Sequence, residues 1–275
     1  MPDPFRLGVK FWGVRGSTPT PEIDNMGYGG NTTCVEIQGP KGEQLIVDAG
    51  TGIRKLGVQL AEQKQPPQTV DLFLTHFHWD HIQGIPFFIP LLREGNLVRF
   101  HSFLPNAQIQ ERLASQMRDP FFTLAFDRLA ACREFLQFNG GSKVGDLSVT
   151  NFPLHHPQGA CGYRIESDGA VVVIATDLEH GDAVLDKKLR EYSEGADILI
   201  YDAQYTPAEY ESRKGWGHST YRAAAKVAHD AHVKKLVLFH HDPLHTDQQM
   251  NSIVDSAARE FENTIAAREH ESITL

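Results

Sequence analysis

Cysteine is scarce in this 275-residue chain. Its three cysteines, Cys34, Cys132 and Cys161, lie far apart in the sequence and form no Cys-x-x-Cys pair. Small proteins stabilised by disulfides carry an even number of cysteines at close spacing. The sequence therefore argues against a disulfide framework and fits a reducing compartment.

Excess positive charge and long apolar runs are also absent from the sequence. The chain has 26 Lys and Arg against 35 Asp and Glu, which gives a net charge of −9 with His neutral. Long-range electrostatics therefore do not recruit a polyanion, although a local basic patch is compatible with this charge. No apolar stretch approaches the ~18 residues of a transmembrane helix, and the first residues do not resemble a signal peptide. We expect a cytoplasmic protein that has no membrane partner.

What the sequence does contain is a dense group of metal-binding side chains. The apolar run LFL at 72–74 is followed by the pattern H-x-H-x-D-H at 76–81, which supplies His76, His78, Asp80 and His81. Imidazole and carboxylate are ligands that Zn, Fe and Mn accept. A solvated loop rich in histidine is the alternative, but four such residues rarely cluster in this way without a metal. The pattern therefore predicts a metal site at the end of a buried strand.

Four further apolar runs end in a polar residue of the same kind. They end at Asp48, Asp177, Asp202 and His240. Their β-branched and aromatic content favours strands. Strands of α/β enzymes deliver their ends to one polar centre, and we expect the same arrangement here.

Four helices are predicted, at residues 53–63, 108–117, 220–231 and 247–269, with Ser219 as the cap of the third. No change in composition divides the chain, so a single α/β domain at 1–275 is expected. A segment at about 86–143 is rich in phenylalanine and is interpreted as an insertion. Most of these phenylalanines are expected in the core, and a cover over the site or a dimer surface are the alternatives.

The spacing within the histidine motif can serve two metal ions. His76 and His78 are two residues apart and can share one ion, while Asp80 and His81 face a second ion nearby. The remaining ligands must come from elsewhere, and the candidates are the other strand-end residues and the pair His155-His156.

With these residues the chain resembles the metallo-β-lactamase-fold hydrolase superfamily, whose signature loop matches His76, His78, Asp80 and His81. The segments FWGVRGS at 11–17 and YGGNT at 28–32 resemble a bacterial branch related to tRNase Z and the cyclic-nucleotide phosphodiesterases. The resemblance covers nearly the whole chain and implies a four-layer αββα sandwich. It also implies that Asp48, in VDAGTG at 47–52, supports the site from behind the ligands.

The resemblance implies the remaining ligands as well. His156 in HPQG, Asp177 in ATD and His240 in LVLFH match the later motifs of the family. One ion would be held by His76, His78 and His156, the other by Asp80, His81 and His240, with Asp177 between them. His155 and His241 are the neighbours that could exchange with His156 and His240, because adjacent strand residues point in opposite directions.

A catalytic pair is implied by a further motif of the phosphodiesterase branch. GHST at 217–220 places His218 close to the scissile phosphate, and the acid before it, usually Glu, is here Asp202. That departure puts the pairing of His218 with Asp202 in doubt. His218 would stabilise charge or protonate the leaving oxygen, and Asp80 would orient the water.

The expected reaction is hydrolysis of a phosphodiester by a hydroxide that bridges two divalent ions, with Zn as the default and Mn or Fe as alternatives. Only about twenty residues separate His156 from Asp177, which leaves no room for the tRNA-gripping arm of tRNase Z. A nucleotide, a cyclic nucleotide or another small phosphodiester is therefore favoured. A tRNase Z-like RNA nuclease, a β-lactamase or thioesterase, and a ligand sensor without turnover are the alternatives. The resemblance and the apolar segment suggest a homodimer.

Overall fold

Two seven-stranded sheets organise the computed structural model, which describes residues 5–62 and 67–275. Within these ranges the strands are β1 Gly8–Gly13, β2 Cys34–Gln38, β3 Gln44–Val47, β4 Thr69–Phe73, β5 Leu97–Ser102, β6 Cys132–Gln137, β7 Gly141–Val144, β8 Leu147–Leu154, β9 Ala160–Ser167, β10 Ala170–Ala175, β11 Ile198–Asp202, β12 Leu236–Phe239, β13 Thr264–Ala266 and β14 Ser272–Thr274. The helices are α1 Ile53–Glu62, α2 Trp79–Ile82, α3 Asn106–Ser115, α4 Ala183–Ser193, α5 Pro207–Tyr210, α6 Tyr221–Asp230 and α7 Asp247–Glu260.

Each sheet is built almost entirely from one half of the chain. The first has the order β14-β1-β2-β3-β4-β5-β6, and the second has the order β13-β12-β11-β10-β9-β8-β7. Strands β3 to β6 run parallel to one another, as do β10 to β13. Since parallel strands end at the same edge of a sheet, the residues that follow them are brought close together.

Alternation of side chains along the strands explains why the sheets stack into layers. On β10, Val172 and Ile174 face a core shared with Val35 and Phe73 of the first sheet, while Val173 faces the opposite core under α4, α6 and α7. Such period-2 burial on both faces is expected of a strand covered on two sides. Helices α1 and α3 cover the outer face of the first sheet. The predicted four-layer αββα sandwich is therefore confirmed.

The four predicted helices are found close to where the sequence predicts them, with two corrections, whereas α2, α4 and α5 were not predicted. Thr220, not Ser219, caps α6, because the Thr220 side chain accepts a hydrogen bond from the Ala223 N–H. Helix α7 ends at Glu260 and not near residue 269, because Ile265 and its neighbours pair with β12 at the sheet edge. Residue 63, the predicted end of the first helix, lies outside the described residues.

The segment at about 86–143 is not an insertion, since it supplies β5 and β6 to the first sheet and β7 to the second. Its phenylalanines range from buried to exposed, and Phe103, Phe122 and Phe135 are partly buried. Phe88, Phe100, Phe126 and Phe138 are buried, whereas Phe87 and Phe121 are 53% and 71% exposed. The core interpretation is therefore correct for part of the set, and the exposed members require another explanation.

A buried arginine ties the start of the chain to its end. Arg15 donates to the backbone carbonyls of Asn25, Gly29, Asp242 and His245, at 2.7 to 3.1 Å. Because a buried guanidinium without partners would be costly, these bonds fix the loop that carries Gly16 and Ser17 against the loop after β12. No helix within residues 5–62 and 67–275 has the length and hydrophobicity needed to cross a membrane.

Candidate metal centre

The candidate site lies where parallel strands of both sheets end. Asp48 follows β3, Asp177 lies two residues beyond β10, and His240 directly follows β12. All three have a left-handed backbone, with φ of 62°, 58° and 59°. Residues other than glycine seldom adopt this conformation, which costs about 1–3 kcal/mol. The surrounding structure therefore holds these side chains in orientations that a relaxed strand end would not provide.

Three imidazoles form the first group that could hold a metal ion. The ligand atoms of His76, His78 and His156 lie within 4.8 Å of one another. Burial, and then the nearby His81, lower the pKa of His76 well below its usual value, and burial likewise lowers the pKa of His156. Both rings are therefore neutral near pH 7, which is the form that binds a metal.

The second group contains two carboxylates and two imidazoles. Asp80, His81, Asp177 and His240 are all buried, and their ligand atoms also lie within 4.8 Å of one another. Oδ2 of Asp80 is 3.3 Å from Nε2 of His81 and 3.2 Å from Nε2 of His240. Buried charges of this kind are paired or coordinate a metal.

Asp177 stands between the two groups. Its Oδ1 lies 3.7 Å from Nε2 of His76 and 3.9 Å from Nε2 of His156. Its Oδ2 lies 3.1 Å from Nε2 of His81 and 3.3 Å from Nε2 of His240. Although burial would raise the pKa of Asp177, the surrounding imidazoles hold that pKa well below its usual range. One ionised carboxylate thus presents an oxygen to each group, which is the geometry of a bridging ligand.

Unpaired atoms show that the pocket suits cations. Nε2 of His76 and Nε2 of His81 are buried and make no hydrogen bond to any described residue. Nε2 of His81 lies 3.1 Å from Oδ2 of Asp177, but the two atoms are not oriented for a hydrogen bond. Buried polar groups are normally paired, so these nitrogens and the carboxylates together fit metal cations.

The opposite nitrogen of each candidate ligand ring is held by a separate partner. Such bonds fix the orientation of metal-binding histidines. These contacts join His76 to Thr75 Oγ1, His78 to Gln158 Oε1, His81 to Asp48 Oδ2, His156 to the Gly217 carbonyl and His240 to Gln204 Oε1, at 2.8 to 3.0 Å. Sequence reasoning identified Asp48 as a supporting residue but missed Thr75, Gln158 and Gln204, whose residue types carry no special signal.

The histidines next to the candidate ligands point away from the centre. His155 is exposed and approaches the Glu179 carbonyl, while His241 is buried with Nε2 2.9 Å from the Ala267 carbonyl. The structure therefore brings His156 and His240 into the groups, and their neighbours remain outside. His180 is half-buried and contacts the Ser219 hydroxyl, 2.8 Å away.

A third group joins His218 to the centre. Nδ1 of His218 is 2.8 Å from Oδ2 of Asp202 and 4.0 Å from Oδ1 of Asp177. Burial disfavours a charged ring, but the Asp202 carboxylate outweighs it and raises the pKa of His218 to about 9. The pair that the departure from Glu to Asp had put in doubt is therefore formed in the structure.

The loop that carries His218 is held by an acid that the sequence did not single out. Glu179 accepts hydrogen bonds from the N–H groups of Gly215 and Gly217 and from the Tyr210 hydroxyl, at 2.7 to 3.0 Å. Gly217 has a φ of 88°, and a Cβ there would lie 2.5 Å from Nδ1 of His156. The loop therefore packs directly against the first group, and only glycine fits at this contact.

The four-layer sandwich with its His and Asp groups at one edge is the architecture of the metallo-β-lactamase fold. The family model described as "Beta-lactamase superfamily domain" matches residues 43–241. The chain belongs to this superfamily.

Relatives and solved structures extend this comparison. A "Ribonuclease Z" of Archaeoglobus fulgidus is 25% identical over 313 residues, covering 92% of this chain and 97% of the relative. The structure of the metallo-β-lactamase fold protein YhfI from Bacillus subtilis has a TM-score of 0.75 at 18% identity and covers 98% of this chain and 100% of its own. A diphosphatase of the PhnP family has a TM-score of 0.71 at 18% identity and covers 98% of both chains.

Proposed function

We propose that this protein is a metal-dependent phosphodiesterase that hydrolyses a small nucleotide or cyclic nucleotide. The observation that carries the proposal is the His218–Asp202 pair beside the two groups of candidate ligands. An imidazole that is oriented by a carboxylate next to a cation site suits a substrate that is itself an anion, such as a phosphodiester. The similarity to a ribonuclease and to a diphosphatase supports a hydrolase of phosphate bonds.

Two divalent ions would be held by the first and second groups, with Asp177 shared between them. When bound, such ions neutralise charge on a phosphate and lower the pKa of a water molecule towards neutrality. The protein's own part is orientation, because every candidate imidazole is fixed by a second partner. Oδ2 of Asp80 is already engaged by the Ser17 N–H at 2.8 Å and by imidazoles. Its other oxygen is therefore the one that would orient a water.

His218 would act as the general acid. Its Nδ1 is directed at Asp202, so its Nε2–H is the proton available to the leaving oxygen or to charge on the phosphorus. Asp202 keeps this ring protonated and fixes its orientation, and Gln204 N–H and Ser219 N–H in turn approach Asp202 Oδ1, at 3.1 and 3.3 Å. Removal of the proton donor should slow the chemical step without releasing metal.

The short connection between His156 and Asp177 supports a small substrate. Strands β9 and β10 are joined by a tight turn at Asp168 and Gly169, which have φ of 47° and 76°. No arm projects between these two strands. A macromolecular substrate would therefore need a different grip, and the net charge of −9 supplies no general attraction for one.

A panel of four substrates tests the proposal: bis-p-nitrophenyl phosphate, a cyclic nucleotide, a pre-tRNA and nitrocefin, each with added Zn or Mn. We expect hydrolysis of the first two by the metal-loaded protein. Cleavage of pre-tRNA alone would support the ribonuclease alternative, which the similarity to proteins named Ribonuclease Z favours. Hydrolysis of none by protein with two bound ions would overturn the enzymatic proposal in favour of a ligand sensor.

Zinc is the expected metal because the first group consists only of imidazoles, and Mn or Fe suit the more carboxylate-rich second group. Elemental analysis of protein purified without added metal distinguishes them. A homodimer and a cytoplasmic location stay predictions.

A further inference from the structure

A groove that begins at His76 and His78 of the candidate metal centre extends beyond the groups used by the chemistry proposed above. It has a volume of about 660 Å³, within the ~300–1,000 Å³ typical of small-molecule sites. A second cleft, of about 500 Å³, opens directly onto Asp80, Asp177 and His218. Phe77 and Trp79 line both spaces. A molecule whose phosphate lies at the centre can therefore extend into the groove without a break.

The lining of the groove is aromatic and unusually exposed. Trp79, Phe87 and Phe121 are 77%, 53% and 71% exposed, and all three line this groove. Among the described residues only five Phe and Trp side chains are more than about a third exposed, and the other two are Phe5 at 40% and Trp216 at 63%. Exposed apolar side chains that gather in one place mark a binding surface. Aromatic rings arranged in this way are suited to stack on another planar ring.

Charge in the groove is positive although the chain as a whole is acidic. Arg112 and Arg118 line it, and none of its lining residues is Asp or Glu. Neither arginine forms a salt bridge to an acidic group in residues 5–62 and 67–275. The Arg112 guanidinium lies 5.3 Å from the centre of the Phe77 ring, so it is held at the aromatic surface. Arginine with free donors is suited to bind phosphate.

We propose that the groove binds the base of a nucleotide substrate and that Arg112 and Arg118 bind a second phosphate that does not react. The preferred substrate would then be a phosphodiester of a nucleoside that carries a further phosphate, and a cyclic mononucleotide without that phosphate would be a poorer substrate. This inference rests on the proposed phosphodiesterase function and names the substrate class of that same site. The aromatic surface selects the base, and the arginines select the additional charge.

Three probes with the same leaving group separate these contributions. They are ethyl p-nitrophenyl phosphate, thymidine 5′-(p-nitrophenyl phosphate) and its 3′-phosphorylated form. For the metal-loaded protein, the base should raise kcat/KM about tenfold or more, the scale of one stacked base. The 3′-phosphate should raise it again, by about tenfold, the scale of a charge-assisted hydrogen bond.

Substitutions in the groove should remove each preference separately. The double change Phe87→Ala and Phe121→Ala should bring the ratio of thymidine probe to ethyl probe close to one. Arg112→Gln with Arg118→Gln should remove only the preference for the 3′-phosphate. Phe5→Ala and Arg54→Gln are matched controls, because both residues are exposed and lie outside the groove. All the substituted side chains are exposed, so the variants should fold.

A binding measurement without turnover supplements the rates. Thymidine 3′,5′-bisphosphate should quench the tryptophan fluorescence of the protein, to which Trp79 contributes, and the arginine double variant should weaken that binding about tenfold or more. Equal rates for the three probes, or ratios that the groove variants leave unchanged, would overturn the subsite while the phosphodiesterase function stands. Hydrolysis of none of the three by protein with two bound ions would overturn both.

Discussion

The two halves of the chain contribute to the candidate metal centre in different ways. The first half supplies His76, His78, Asp80 and His81 from one short segment that follows a single strand, with Asp80 and His81 in helix α2. The second half supplies His156, Asp177 and His240 one at a time, from the ends of three strands. Yet the first and second groups each contain residues from both halves. A single short loop can thus form only half of a site whose other half depends on the second sheet.

This difference determines what a sequence can reveal. A dense loop is visible in any window of ten residues, whereas single residues after strands are visible only when the strands themselves are recognised. The comparison of the two halves also guides experiments. If each group acts as a unit, substitution of a ligand from either half should reduce metal content and activity equally.

The largest effect is expected at Asp177, which faces both groups. Asp177→Asn removes the charge that both candidate cations would share, so metal content should fall at both sites. Activity should drop by about 10⁴-fold, equivalent to the several kcal/mol that metal ions contribute to charge stabilisation. Elemental analysis and kcat/KM measure the two effects. Asp168→Asn, in an exposed turn, is the control, and full metal content in Asp177→Asn would contradict the bridging role.

Next in size is a matched pair from opposite halves. His76→Ala and His156→Ala should each release about one ion and reduce kcat/KM by about 10³-fold, because both remove an imidazole from the first group. Equal losses would show that the loop residue and the strand-end residue belong to one unit. Loss of metal in only one of the two variants would separate them.

A smaller loss of activity is expected for His218, whose group contains only residues of the second half. His218→Ala should reduce kcat by about 10²-fold, at the lower end of general acid–base catalysis, while two ions per chain are retained. Elemental analysis beside steady-state kinetics decides this prediction. Activity equal to wild type would remove His218 from the mechanism, and loss of metal would make it a ligand.

Supporting contacts should matter less than the ligands themselves. Gln204→Ala removes the partner of His240, and Thr75→Val removes the partner of His76. Each should weaken metal affinity by roughly 10 to 100-fold, as outer-shell changes do. Titration with a competing chelator measures the affinity. If Thr75→Val weakens metal affinity and Gln204→Ala does not, supporting contacts contribute to metal binding only in the first half.

The smallest effect tests a correction to the sequence prediction. Thr220→Ala removes the cap of α6 and should lower the free energy of unfolding by about 1 kcal/mol. Ser219→Ala should leave the cap intact, because the Ser219 hydroxyl contacts His180 and not the helix N-terminus. Urea denaturation of metal-free protein distinguishes the two variants, and the opposite order of stability would restore Ser219 as the cap.

Much of the fold could be predicted, because the apolar runs that end at Asp48, Asp177 and His240 are strong strand signals. The resemblance supplied the layer architecture and the late motifs. The end of α7 could not be found, since helical spacing continues past Glu260 and only pairing with β12 ends the helix. The supporting residues Gln204 and Glu179 were also missed, because a glutamine or glutamate carries no sign of its partner until the chain is folded.

The groove illustrates a second limit. Sequence alone showed that phenylalanines were abundant between 86 and 143, but it could not sort them by exposure. Phe88 and Phe100 are buried, whereas Phe87, adjacent in sequence to Phe88, lines the groove. Neighbouring residues of the same type thus have opposite surroundings, which depend on the path of the backbone between β4 and β6.

The Arg15 hydrogen bonds have a consequence for biosynthesis. Two of the carbonyl groups that Arg15 binds belong to residues 227 and 230 positions further along the chain, and β1 pairs with β14 near the other end. At translation rates of about 5 to 20 residues per second, the partners of Arg15 emerge on the order of 10 to 50 seconds later. During that interval the first strand lacks its edge partner and the guanidinium remains in water. The edge of the first sheet formed by β1 should therefore be completed last, after β14 has been synthesised. Until then this edge is exposed to chaperones.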